Sequence, residues 1–160
     1  MKRVALLLCL AAVGPAQAQE KASPVSNHSI VALTPDAIEW VTAPAALPAG
    51  AKVAVLQGDP SQPGAFVVRI LFPAGYSVAP HSHPTHEHVT VLRGTLNVGM
   101  GSKFDKPATK SLAAGSFSVM PAGMSHFVWV DSETELQIHG TGPFTLNYAN
   151  PADDPRRKKP

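Results

Sequence analysis

Punctuation is the feature that most constrains this chain. Proline (16) and glycine (12) recur throughout its 160 residues, and neither is well tolerated inside a helix. Beyond Gly50 they cut the text into short, apolar, β-branched stretches. The spacing predicts strands over residues 52–57, 65–72, 87–92, 95–100, 116–120, 126–130, 135–139 and 144–148. Turn signals such as Gly58-Asp59-Pro60, Pro73-Ala74-Gly75 and Pro121-Ala122-Gly123 separate them. Short strands at this spacing belong to a sandwich or barrel, not to βαβ units. One short helical turn is expected over residues 35–40, because Thr34 can cap and Pro35 suits the first helical position. With 44% apolar residues, the chain can build one core and one domain.

The first residues do not belong to that domain. Met1-Lys2-Arg3 is basic, residues 4–13 form an apolar run, and Ala16-Gln17-Ala18 is a small-x-small pattern. Together these read as a secretory signal peptide over residues 1–18, too short to span a bilayer. Residues 19–34 read as a flexible lead-in, 35–150 as the domain and 151–160 as a polar tail. The mature protein is expected in the periplasm or outside the cell, with no membrane attachment. Cys9 leaves with the leader, so no disulfide or thiolate chemistry remains. Lys2 and Arg3 leave too, so 13 basic residues become 11 against 11 acidic ones. A neutral chain gives no reason to expect nucleic acid as a partner. Four of the basic residues, Arg156 to Lys159, lie in the tail and read as solvated.

Alternation then singles out one residue. Val89 and Val91 share a strand face, and Glu87 falls at the same parity. A small barrel fills its inside with such side chains, so an inward Glu87 needs a cationic partner. Four of seven histidines, His81, His83, His86 and His88, crowd into eight residues, with His126 and His139 on later strands. On an extended chain His81 and His83 point to one face. His86 and His88 have the opposite parity and are expected at the rim or outside.

These residues also carry a resemblance. Gly75, five residues, His81-x-His83, three residues, Glu87, six residues, Gly94 matches the first conserved motif of the cupin superfamily. Gly115, five residues, Pro121-x-Gly123, two residues, His126 matches most of the second, with Val130 where an asparagine often closes it. The chain resembles a small exported single-domain cupin, similar to the cupin domain of zinc-binding (ChrR-like) anti-sigma factors. The resemblance implies an all-β double-stranded β-helix, a jelly-roll barrel. It further implies one divalent metal ion held by His81, His83, Glu87 and His126. The alternative is a barrel of the same fold that holds no metal.

Three imidazoles and a carboxylate suit zinc, iron, manganese or nickel. Filling a tetrahedron around zinc would make the site structural or sensory. Occupying four corners of an octahedron would leave room for substrate. An enzyme of this kind would be a metal-dependent oxygenase or isomerase acting on a small oxygen-bearing molecule, with Glu87 or His139 moving a proton. His139 faces the ligands only if Leu136 and Ile138 point away from the pocket. A homodimer is a plausible assembly for either reading. Metal affinity is expected to fall in acid as the imidazoles protonate, near ~6.5 if unperturbed.

Overall fold

The computed structural model describes residues 30–157; the expected signal peptide and most of the expected lead-in lie outside these residues. Eleven strands follow one another: β1 (Val41–Thr42), β2 (Lys52–Gln57), β3 (Gly64–Phe72), β4 (Ser77–Ser82), β5 (Glu87–Arg93), β6 (Thr95–Met100), β7 (Lys110–Ala113), β8 (Phe117–Met120), β9 (His126–Trp129), β10 (Thr134–Gly142) and β11 (Asn147–Tyr148). They form two antiparallel sheets, ordered β1-β2-β3-β10-β5-β8 and β11-β4-β9-β6-β7. From β3 onward the chain passes back and forth between the sheets, interrupted only by the β6–β7 hairpin, which is the jelly-roll path expected of a double-stranded β-helix. The helical turn at the start is shorter than the sequence suggests, a single 3₁₀ turn at Pro35–Ala37.

The core lies between the sheets and follows strict alternation. Phe66, Val68, Ile70 and Phe72 of β3 face inward beside Val89 and Val91 of β5 and Leu136 and Ile138 of β10. Val78, Leu96 and Val128 face them from the second sheet. Val130 is buried in this core, and its N–H donates to the Tyr76 carbonyl at 3.0 Å. Phe127 and Trp129 take the opposite parity on β9. Phe127 is buried on the outer side, over Gly99 and beneath Phe104, and Lys106 lies over the Trp129 ring. Neither aromatic is pocket wall, while Phe117 is exposed on edge strand β8.

Three strands were not legible in the punctuation: the two-residue β1, β7 and β4. β7 is a four-residue edge strand between polar turns. β4 carries Pro80 in its interior, which argues against a strand unless a bulge absorbs the missing donor. A bulge is present: pairing with β9 runs Val78↔Val128 and then slips by one residue to His81↔His126. That slip turns His81 inward, in keeping with the way bulges re-aim side chains.

Gly94 closes the β5–β6 turn at φ +81, and a Cβ there would meet Thr134 Oγ1 at 2.5 Å and the Glu133 carbonyl at 2.7 Å. Gly75 has a similar φ of +75 with open space around it. Gly75→Ala should therefore cost only backbone strain, about 1–2 kcal/mol, whereas Gly94→Ala adds a steric clash and should cost distinctly more. Denaturant unfolding of both variants measures the difference; equal losses would contradict this account of the turn.

Candidate metal centre

The site is built from both sheets. β4 delivers His81 and, one residue past its end, His83; β9 opens with His126 directly opposite His81; β5 opens with Glu87 from the other sheet. All four side chains are buried, with at most 6% of any residue exposed. The ring centroids of His81 lie 5.0 Å from His83 and 4.4 Å from His126, and those of His83 and His126 are 5.4 Å apart. One nitrogen from each of the three lies within 4.8 Å of the others, a grouping that could hold a metal ion.

Backbone carbonyls determine which nitrogen faces inward. Nδ1 of His81 donates to Ala79 O at 2.8 Å, Nδ1 of His83 to Thr145 O at 2.9 Å and Nδ1 of His126 to Met124 O at 3.2 Å. A carbonyl can only accept, so each neutral ring carries its proton on Nδ1 and presents a bare Nε2 lone pair. Carbonyl partners of this kind orient the imidazoles of metal sites. Phe144 stacks on His83 at 4.1 Å and 10°, which fixes that ring further.

The lone pairs then meet a carboxylate. Glu87 Oε2 lies 3.2 Å from His126 Nε2 and 3.5 Å from His83 Nε2. His83 Nε2 is buried with no hydrogen-bond partner. Acceptor facing acceptor in a low-dielectric interior is repulsive unless a positive charge sits between them. The donor set therefore fits a cation, and its nitrogen-rich chemistry suits a first-row divalent ion.

Burial, reinforced by the neighbouring His126 and His83, pushes the His81 imidazole down to about 3. Burial also lowers His83, against the opposing pull of Glu87. For Glu87, burial acts to raise the carboxyl, and only positive charge beside it, such as protonation of His126, His83 and His81 would bring, outweighs burial and holds it below the usual range. Proton competition for His81 therefore begins in stronger acid than an unperturbed imidazole would suggest.

His139, His86 and several residues of suggestive chemistry fall elsewhere or pack structurally. Leu136 and Ile138 line the cavity beside the histidines, so His139 occupies the other face of β10. There it stacks on its cross-strand partner His88 at 4.9 Å and 9°. It has no place in the cavity wall, where Glu87 is the acidic residue among the described ones. His86 accepts from the Ala122 N–H at 3.2 Å, outside the barrel. Arg69 pairs with Glu135 on the outer face at 3.1 Å. Tyr76 packs on Phe72 and donates to the Pro48 carbonyl. Met120 lines the cavity, while Met100 and Met124 are exposed.

Sequence reasoning missed Phe144, Leu146 and Leu47. Residues 144–148 read as one strand, but pairing is confined to β11, and the stretch before it bends across the cavity. Arg156, expected in a solvated tail, is instead anchored. Its guanidinium holds both Asp154 oxygens at 2.8 and 2.9 Å and donates to Leu146 O at 3.0 Å. No motif announces these residues; only tertiary packing places them.

Comparison with known proteins agrees with this geometry. The family model described as Domain of unknown function (DUF4437) matches residues 12–147. Germin-like protein 5-1 of Oryza sativa subsp. japonica is 40% identical over 76 residues, 47% of this chain and 34% of that protein. The chain thus spans about a third of the length of that curated relative. An RmlC-like cupin from Shewanella frigidimarina superposes with a TM-score of 0.55 at 18% identity, covering 71% of this chain and 91% of its own. A Methylibium petroleiphilum PM1 protein, named as a candidate acetylacetone dioxygenase, superposes at 0.63 with 22% identity, covering 81% and 88%. The fold is that of the cupins.

The histidine environment has a pH signature in the metal-free protein. Above about pH 6.5 His81 is neutral in both folded and unfolded states, so it adds no pH dependence. Between that value and about 3, the unfolded chain takes up a proton that the folded chain refuses. Stability should fall with falling pH across this window, with His81 contributing up to about 1.4 kcal/mol per pH unit. Chemical denaturation from pH 7 to pH 4 should show this slope, and His81→Gln should flatten it. An unchanged slope in that variant would contradict burial of a neutral imidazole.

Proposed function

We propose that this chain, which belongs to the DUF4437 family, binds one divalent first-row metal through His81, His83, His126 and Glu87. There it acts on a small oxygen-bearing molecule, as a metal-dependent oxygenase or isomerase. One observation carries the catalytic reading over a closed, purely structural site. The four donors line a cavity of about 50 Å³ that shares wall residues with a second cavity of about 210 Å³. A structural centre needs no adjoining space. The name of the Methylibium neighbour, a candidate acetylacetone dioxygenase, is in keeping with this.

A bound ion would supply Lewis acidity to an oxygen atom of the substrate. The chain's own residues set the conditions. Carbonyls of Ala79, Thr145 and Met124 hold the three imidazoles at fixed angles, so little reorganisation accompanies ligand binding. Glu87 is the one carboxylate in the cavity wall, positioned to accept a proton from a carbon or hydroxyl of the substrate. The aliphatic wall keeps water from the reacting atoms. The leader sequence would direct this activity out of the cytoplasm.

Equilibrium dialysis against Zn²⁺, Fe²⁺, Mn²⁺ and Ni²⁺, followed by elemental analysis, tests the reading. One ion per chain is expected, with affinity reduced about 100-fold in His83→Ala and His126→Ala and unchanged in His139→Ala. Metal content unaffected by loss of His83 and of His126 would end the ligand assignment. Stoichiometric zinc without an exchangeable water would favour a sensory zinc barrel, like that of zinc-binding anti-sigma factors, over catalysis.

A further inference from the structure

The wall around the donors restricts what can sit beside them. In the inner cavity every lining residue other than the three histidines and Glu87 is apolar. At about 50 Å³ against about 210 Å³ it is the smaller of two cavities that share wall residues, and a substrate too large for it would extend toward the outer one. Leu47, Ile70, Ile138, Phe144 and Leu146 belong to the walls of both cavities.

The outer cavity offers few free polar groups. Its single charged residue, Arg156, is neutralised by Asp154 and further tied to the Leu146 carbonyl. Nearby carbonyls are already in use. Pro44 O accepts from Leu47 N at 2.9 Å, Ala46 O from the Tyr148 hydroxyl at 2.8 Å, and Pro60 O from Phe144 N at 2.7 Å. A substrate hydroxyl or carboxylate placed here would lose water and could regain little beyond the Thr145 hydroxyl as a partner. The segment bearing Leu47 is pinned at both ends by the tyrosine hydroxyls, since Tyr148 holds Ala46 and Tyr76 holds Pro48. Leu47 is therefore a fixed part of the wall.

We infer that the compound taken by this site is a compact oxygen chelator with hydrocarbon flanks, that polyols and dicarboxylates are excluded, and that Leu47 sets the size of the flank. The inference rests on the metal reading above and narrows it.

Two hydroxypyranone probes separate the alternatives: allomaltol and kojic acid share one chelating head and differ by a single hydroxyl on the flank. The chain is loaded with Co²⁺, whose visible absorption reports ligand binding, and each probe is titrated by absorbance and calorimetry. Allomaltol should bind about tenfold or more tightly than kojic acid, after normalising to their affinities for aqueous Co²⁺. Leu47→Arg should weaken allomaltol about tenfold while Co²⁺ stoichiometry stays at one per chain. With Co²⁺ bound, equal affinity for the two probes, or an unaffected Leu47→Arg variant, would overturn this inference alone. Failure of the wild-type chain to take up Co²⁺ would overturn the metal reading and this inference with it.

Discussion

A carboxylate buried against two bare imidazole nitrogens is the contact on which the rest of the structure depends. Glu87 stands in the row of inward valines on β5, where an unpaired charge costs several kcal/mol even after relaxation. Its neighbours His83 and His126 have committed their Nδ1 protons to backbone carbonyls. The interior therefore contains a preset demand for positive charge. Every nearby departure from regular β geometry serves that arrangement. The bulge at Pro80 turns His81 inward, and the Gly123 N–H holds the His83 carbonyl at 2.8 Å. Phe144 crosses the barrel to stack on His83.

Much of this was legible in the sequence, and for a physical reason. Alternation is a local property, so the inward row of Glu87, Val89 and Val91 could be read from spacing alone, as could the opposite faces of Ile138 and His139. Motif spacing likewise brought His81, His83 and His126 together. What stayed hidden is non-local. Pro80 disguises β4 because a bulge is visible only once the partner strand is known. The role of Phe144 and Leu146 depends on chain that leaves the sheet, and periodicity says nothing about it. Arg156 reads as one of four tail cations until Asp154 and the Leu146 carbonyl are seen to hold it.

The fold by itself would leave the chemistry open, since a cupin barrel can host many reactions. The local evidence narrows it. A site meant only to clamp an ion has no need of an apolar chamber on one side, whereas a site meant for a sugar would line that chamber with hydrogen-bonding groups. Here the inner cavity's polar groups are confined to the donors, and the outer one adds only Thr145 and the Asp154-paired Arg156. The outer histidines belong to a different surface, where His88 and His139 pair across strands without reaching the interior.

The most direct measurement is a crystal structure of the metal-loaded protein with diffraction data collected on both sides of the metal's absorption edge. The account predicts one interior anomalous peak, about 2.0–2.2 Å from the Nε2 atoms of His81, His83 and His126 and from a Glu87 oxygen. A peak at the outer His88–His139 pair with none inside, or an interior ion bound through Nδ1 atoms, would contradict it.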